Sequence, residues 1–329
     1  MRNYFGLDLK GGRLAGPFFI VWALLVVGIA LGMFGKRSEF LDSDFFWSVV
    51  SGVMSTVCVM SALCILAFFF VRGTVRALSL SGERFEADYD GRKYASLCAE
   101  GILLSLVTFG IYTPWFVARL VGYFGSNTFF RFKEFRFRGS GSELFSYVVL
   151  LFVLPDSISL LVAAFCTGGL SEYLTADSRR IVNVVYVAVV WLLKSIGTVL
   201  IIRWLTDFKY GDRKRIQSVA GAWRGGLFVF GQVALSAVTL GMYYPMALLR
   251  MWHYFAGRTV LGGDVVEDRF GFAINPGEDY LVVLGQMLLC IVTLGIYFPW
   301  AYARIAGLLF SHTYADTEQR SSEPMPPAC

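Results

Sequence analysis

Apolar and polar positions along the chain fall in long blocks rather than with the short period of a soluble helix or strand. Four apolar blocks, 14–34, 48–71, 144–166 and 181–205, are each long enough to carry one helix across roughly 30 Å of hydrocarbon. Three further blocks, 95–125, 226–257 and 280–311, are too long for one straight span and are interrupted near the middle. The interruptions are copies of one element: Thr108-Phe109-Gly110-Ile111-Tyr112-Thr113-Pro114, Thr239-Leu240-Gly241-Met242-Tyr243-Tyr244-Pro245 and Thr293-Leu294-Gly295-Ile296-Tyr297-Phe298-Pro299. An arginine follows five residues after each proline, at Arg119, Arg250 and Arg304.

The element reads as helix, tight turn, helix. Gly110, Gly241 and Gly295 supply the left-handed conformation that closes a last helical turn, and Pro114, Pro245 and Pro299 suit the first turn of a new helix. Tyr112, Tyr243 and Tyr297 lie inside the turn. Each arm of about 12–14 residues reaches roughly 20 Å at 1.5 Å per residue, short of the hydrocarbon core. Irregular backbone at that depth needs protein or water to satisfy it, so the turns are expected to face one another or an aqueous vestibule.

Short polar segments with strand character lie between these blocks. Thr128–Arg138 mixes aromatic and basic residues with near alternation, and Phe270–Ile274 begins a related stretch; both lead through a Gly-bearing turn to an acid, Glu143 or Glu278. Phe85 precedes Thr108 by 23 residues, as Phe270 precedes Thr293, so the repeat extends to strand, turn and broken hairpin. The expected fold is therefore an all-α polytopic membrane protein. It has four full transmembrane helices, three repeated broken hairpins (re-entrant or paired short spans) and short cytoplasmic β-like segments. Its expected organisation is a two-span unit at 1–77, a first repeat at 78–145, a central two-span unit at 146–205, second and third repeats at 206–315, and a disordered Ser/Glu/Pro-rich tail at 316–329.

Composition agrees with a bilayer as solvent: 56% of residues are hydrophobic, 16% are charged, and mean hydropathy is +0.61. The first block, Leu14–Phe34, exceeds a signal-peptide core and reads as an uncleaved anchor. Gly28 and Gly32 in it have the spacing of close helix packing. If the broken hairpins return to the side they entered, the basic segments 72–93, 131–138 and 209–224 all fall beside the basic N-terminus. The positive-inside rule then puts them, with both termini, in the cytoplasm. The net charge of +5 reads as attraction to anionic lipid head groups, not to nucleic acid.

Candidate chemistry is sparse. Six scattered cysteines without a CxxC pair and only two histidines predict free thiols and no metal site or cofactor. Phosphate-loop, GxSxG, HExxH and dinucleotide-binding patterns are absent, so no enzymatic activity is expected. Polar residues on membrane elements remain. Arg119, Arg250 and Arg304 could bind lipid phosphates or an anionic solute, or simply snorkel to the interface. Glu100, Gln232 and Gln286, seven or eight residues before their threonines, are candidates to pair with these arginines across the repeats. Asp156 and Lys194 lie at matching depth on neighbouring spans and predict an ion pair, with Pro155 kinking the helix beside it.

The segments TFGIYTPWFVARLVGYFGSNT, TLGMYYPMALLRMWHYFAGRT and TLGIYFPWAYARIAGLLFSHT, with FRFRGSGSE after the first, resemble the YjgN-like family of bacterial inner-membrane proteins, a domain family of unknown function. The resemblance covers about 78–145 and 205–313 and implies a bacterial inner-membrane location without an activity to carry over. Within it, Met246 stands where the other copies have Trp115 and Trp300, and Leu308 where they have Tyr123 and Tyr254. The function expected is transporter- or channel-like, moving a small or lipidic solute through a cavity between broken hairpins. The alternative is a non-transporting envelope scaffold, or a membrane protein that binds lipid or a partner.

Overall fold

A computed structural model describes residues 2–39, 45–158, 176–211, 214–262 and 267–316. The helices are α1 (Gly11–Glu39), α2 (Phe45–Ala77), α3 (Gly91–Val107), α4 (Thr113–Ser126), α5 (Gly141–Val148), α6 (Ala176–Leu205), α7 (Ala222–Val238), α8 (Tyr244–Ala256), α9 (Pro276–Val292) and α10 (Phe298–Ser311). A π-helical turn, Val149–Val153, continues α5 just before Pro155, the kind of local adjustment that absorbs a proline in a helix. The segments Gly11–Met33, Trp47–Ala77, Gly141–Ile158 and Arg180–Leu205 are long and apolar enough to cross a membrane, matching the four blocks of the sequence.

The strands are β1 (Arg2–Leu7), β2 (Leu78–Leu80), β3 (Glu83–Arg84), β4 (Glu86–Ala87), β5 (Thr128–Phe130), β6 (Lys133–Phe137), β7 (Phe208–Tyr210), β8 (Lys214–Ser218), β9 (Thr259–Gly262), β10 (Glu267–Phe272) and β11 (Thr313–Asp316). They form one sheet in the order β3-β2-β1-β11-β10-β9-β8-β7-β6-β5-β4. All pairs in it are antiparallel, among them β1 on β11 with Tyr4 opposite Tyr314. The two ends, β3 and β4, are separated only by Phe85, so the ladder returns to where it began. A ring of this kind leaves almost no unpaired edge, which is how antiparallel sheets avoid exposing backbone donors and acceptors.

This sheet corrects the all-α expectation. The isolated β-like segments foreseen at 128–138 and 270–274 are β5, β6 and β10, and they belong to one continuous ladder that also recruits residues 2–7 and 313–316. Asp316, placed at the head of the disordered tail, instead pairs in β11 with Arg2 of β1 and Arg269 of β10; the remaining tail residues lie outside the described residues.

Along the described residues, helical pairs alternate with strand pairs: α1–α2, α3–α4, α5–α6, α7–α8 and α9–α10 each leave the ring and return to it. Long pairs pack through small residues. A side chain on Gly28 would meet Cys58 and Val59 of α2 at 3.2 Å, Gly32 faces Ser55, and the Ser55 hydroxyl donates to the Gly28 carbonyl at 2.7 Å. The GxxxG spacing thus serves helix packing. α5 begins with a capping box, Ser140 accepting from the Glu143 amide while Glu143 reaches back to the Ser140 amide.

Ring closure also accounts for the Trp/Met difference between repeats. Trp115 of α4 lies against Gly141 at the start of α5, and Trp300 of α10 lies against Gly11 at the start of α1; an added Cβ at either glycine would sit 2.7 Å from the tryptophan backbone. Both tryptophans thus abut the start of a long span. The middle copy is followed instead by α9, whose Gly277 has open space around it, and there Met246 suffices. The Tyr/Leu difference is likewise one of packing. Tyr123 donates to the Asp90 carbonyl at the head of α3 and Tyr254 stacks on Phe228 of α7 at 4.4 Å, whereas Leu308 joins the cluster around Leu249, Phe272 and Val283.

Candidate functional site

The strand ring surrounds a chamber of about 660 Å³, walled on one side by strand residues and on the other by the ends of α2, α4, α6 and α10. Period-two alternation explains its lining, because successive strand side chains point to opposite faces. Leu78 and Leu80 of β2 and Phe208 and Tyr210 of β7 turn inward, while Lys209 between them does not line the chamber. Phe85, the residue that breaks the ring, stacks on Phe130 at 4.5 Å and on Phe135 at 6.2 Å.

No charged side chain lines this chamber, and the hydroxyls in its wall are engaged. Tyr89 bonds Thr128 at 2.6 Å, Tyr210 donates to the Phe130 carbonyl at 3.0 Å, and Thr206 donates to the Ile202 carbonyl at 2.9 Å. Burial pushes the Tyr89 and Tyr210 hydroxyls above the ordinary tyrosine range. The wall therefore stays neutral and presents carbon to whatever it holds. Such a site suits an apolar molecule and is ill suited to a hydrated ion.

The sequence reading missed this chamber because each contributing segment is short. The available signal was alternation in fragments such as Leu78-Ser79-Leu80 and Phe208-Lys209-Tyr210, with aromatic residues on one parity.

The three broken stretches are pairs of helices joined by turns with the same pattern of φ values and hydrogen bonds. Phe109, Leu240 and Leu294 take positive φ of 50–51°, followed by Gly110, Gly241 and Gly295 at 85–88°. The left-handed pair thus begins one residue before the glycine expected to carry it. Gly110, Gly241 and Gly295 each donate at 2.7 Å to a carbonyl five residues back, at Ser105, Ser236 and Cys290. The threonine hydroxyl accepts from the amide of Tyr112, Tyr243 or Tyr297 at 3.0–3.1 Å. Pro114, Pro245 and Pro299 have no amide to satisfy. These bonds explain why threonine, glycine, tyrosine and proline recur at fixed spacing.

The turn tips do not pack against one another. Phe109, Leu240 and Leu294 are 97%, 94% and 84% exposed, and Val107, Val238 and Val292 beside them are also exposed. Each tip is an apolar knob whose backbone amides are bonded within the turn.

The other candidates fall as follows. Arg119 pairs with Glu100 of the same hairpin at 2.6 Å and lies over the Tyr112 ring at 6.0 Å. Arg250 donates to the Tyr243 hydroxyl at 2.7 Å, which donates in turn to Gln232 at 2.9 Å. The pairing in the first two copies is thus within the hairpin rather than across repeats. In the third copy Gln286 is buried with its carbonyl oxygen unpartnered among the described residues, and Arg304 is exposed. Asp156 and Lys194 do meet, at 2.8 Å, with the Tyr186 hydroxyl donating to the Pro155 carbonyl beside them. The structure brings this pair together but does not bring the three hairpin arginines into one cluster with it.

Four apolar spans gathered on a ring of strands define a polytopic membrane protein. Residues 84–176 match the family model described as "Bacterial protein of unknown function (DUF898)". The chain is also 33% identical over 64 residues to "Inner membrane protein YjgN" of Salmonella typhimurium, a match covering 20% of this chain and 16% of that protein. Both bear out the YjgN-like resemblance and support an inner-membrane protein of unknown function. No solved structure matches.

Proposed function

We propose that this protein binds a lipidic or similarly apolar molecule in the chamber inside its strand ring, at the cytoplasmic face of the inner membrane. The observation that carries this reading is the chamber wall itself: about 660 Å³, free of charged side chains and built from aromatic and aliphatic residues. That size lies within the roughly 300–1,000 Å³ typical of small-molecule sites. In the same reading the three short hairpins are re-entrant, dipping their apolar tips into the bilayer and returning. Internal bonding of the turn amides supports this, because lipid offers no acceptor to an open N–H. The basic loops then lie in the cytoplasm with both ends of the chain.

Binding is favoured over conduction because the hairpin tips present apolar side chains, Phe109, Leu240 and Leu294. Photolabelling of the purified protein in nanodiscs with a diazirine-bearing fatty acid tests the reading. Peptides containing Phe130, Phe135, Phe208 and Phe270 are expected to carry the label, and filling the chamber with Leu261→Trp is expected to reduce it at least fivefold. Label confined to the outer faces of α1, α2 and α6 would contradict the proposal. Cysteine accessibility at 111, 242 and 296 separately tests the hairpins: none of the three is expected to react with an impermeant reagent added from the periplasm.

A further inference from the structure

Behind the chamber, across the last turns of α2, lies a second cavity of about 510 Å³ with opposite chemistry. Arg13 from the first turn of α1, Arg72 and Arg76 from the end of α2, and Arg84 of β3 line it, with Asp8 as its one acid. Arg72 and Arg76 are four residues apart and share a helix face. Val71 and Val75, one position before each, line the apolar chamber instead. The end of α2 is therefore a partition between an apolar cavity and a cationic one.

None of these arginines has a carboxylate partner among the described residues. Arg72 lies over the Phe68 ring at 5.7 Å, and Arg76 donates to the Ala87 carbonyl at 3.3 Å. Glu83, adjacent to Arg84 in sequence, is committed to Arg131 of the β5–β6 turn. The C-terminal end of α2 favours the cations of its last turns, but Arg13 sits in a first turn that holds no acid, where the helix dipole opposes it. Four arginines against one aspartate thus leave the cavity with unbalanced positive charge. An anion in it would relieve their repulsion.

Guanidinium groups engage phosphate through paired N–H donors, and four in one wall can surround a tetrahedral group on several sides. The rest of the wall includes Leu9, Leu14 and Phe69, the last on the membrane-crossing part of α2. The cavity therefore runs from the apolar end of a span to a cluster of arginines, the same sequence of environments as the boundary between acyl chains and head groups. We infer that this cavity is a phosphate-binding site, placed to take the head group of an anionic phospholipid from the cytoplasmic leaflet. The inference rests on the membrane reading but not on the chamber, whose failure would leave it standing.

The test uses the full chain in neutral detergent, carrying either Arg72→Gln with Arg76→Gln, or Arg203→Gln as a basic control at the end of α6. Native mass spectrometry measures retained phosphatidylglycerol, and calorimetry measures binding of glycerol 3-phosphate. At about fivefold for each arginine removed, the double variant is expected to retain phosphatidylglycerol about 25-fold less well, and the control to match the parent. Saturable glycerol 3-phosphate binding that the double variant alone loses would support a phosphate site fed by a soluble ester. Equal lipid retention and equal ester binding in the double variant and the control would overturn the inference. Should the double variant fail to fold, Arg84→Gln, on an exposed strand residue, carries the same comparison with one charge removed.

Discussion

At the scale of single residues, much of this molecule is set by contacts only one side chain can make. Gly101 of α3 is the clearest: an added Cβ would lie 2.0 Å from the Phe116 ring of α4, which is itself buried. Gly101→Ala is expected to cost about 1–3 kcal/mol through overpacking. Thermal unfolding in detergent checks this, and Phe116→Leu in the same chain is expected to recover part of the loss. A second prediction concerns the chamber tyrosines. Because burial raises Tyr89 and Tyr210 above the ordinary value near 10, the folded protein keeps their protons where the unfolded chain has released them. The stability this contributes is complete below about pH 10 and is lost as pH rises through the folded-state values. Tyr89→Phe with Tyr210→Phe is expected to flatten the decline in melting temperature as pH rises above about 10.

At the scale of elements, the repeated turn was legible because its requirements are local. Thr293, Gly295, Tyr297 and Pro299 each answer to a backbone bond or to the lack of one within seven residues, so the pattern survives as a string. The depth and company of the turn were not legible, since they depend on what its tip touches. Under the proposed re-entrant arrangement, hydrocarbon is that company for the exposed Phe109, Leu240 and Leu294. Replacing Phe109 or Leu240 with Asp is expected to destabilise insertion by about 2.5–3.5 kcal/mol if the tip reaches mid-membrane. Yield of folded protein in the membrane fraction measures it, with Phe132→Asp, at the equally exposed β5–β6 turn, expected to have little effect. The Asp156–Lys194 pair was readable for a similar reason, because two neighbouring antiparallel spans fix which depths coincide.

At the scale of the whole molecule, the sequence concealed the ring. Its strands are two to six residues long and are separated by helical pairs, so none carries enough alternation to announce a sheet. The chamber stayed hidden with it, because Phe5, Phe130, Phe208 and Phe270 become one surface only after five helical excursions return to a common ladder. The register makes closure directly testable. Asn3 lies opposite Ala315, so Asn3→Cys with Ala315→Cys, in a chain whose native cysteines are replaced by alanine, is expected to form a disulfide under mild oxidation. A mobility shift on a non-reducing gel reports it. The offset pair Asn3→Cys with Ser311→Cys is expected to remain reduced.

The pairing of β1 with β11 also has a consequence for biogenesis. Of the strands in this ring, the first to leave the ribosome must wait for the last before one of its edges is covered. Throughout synthesis the growing ladder has an open seam, while the long apolar spans can enter the bilayer as they are made. Pairings so distant along the chain form slowly. A chain stalled before Thr313 would carry its spans in place and its seam exposed, a recognisable mark of incompleteness for proteases that reach that face.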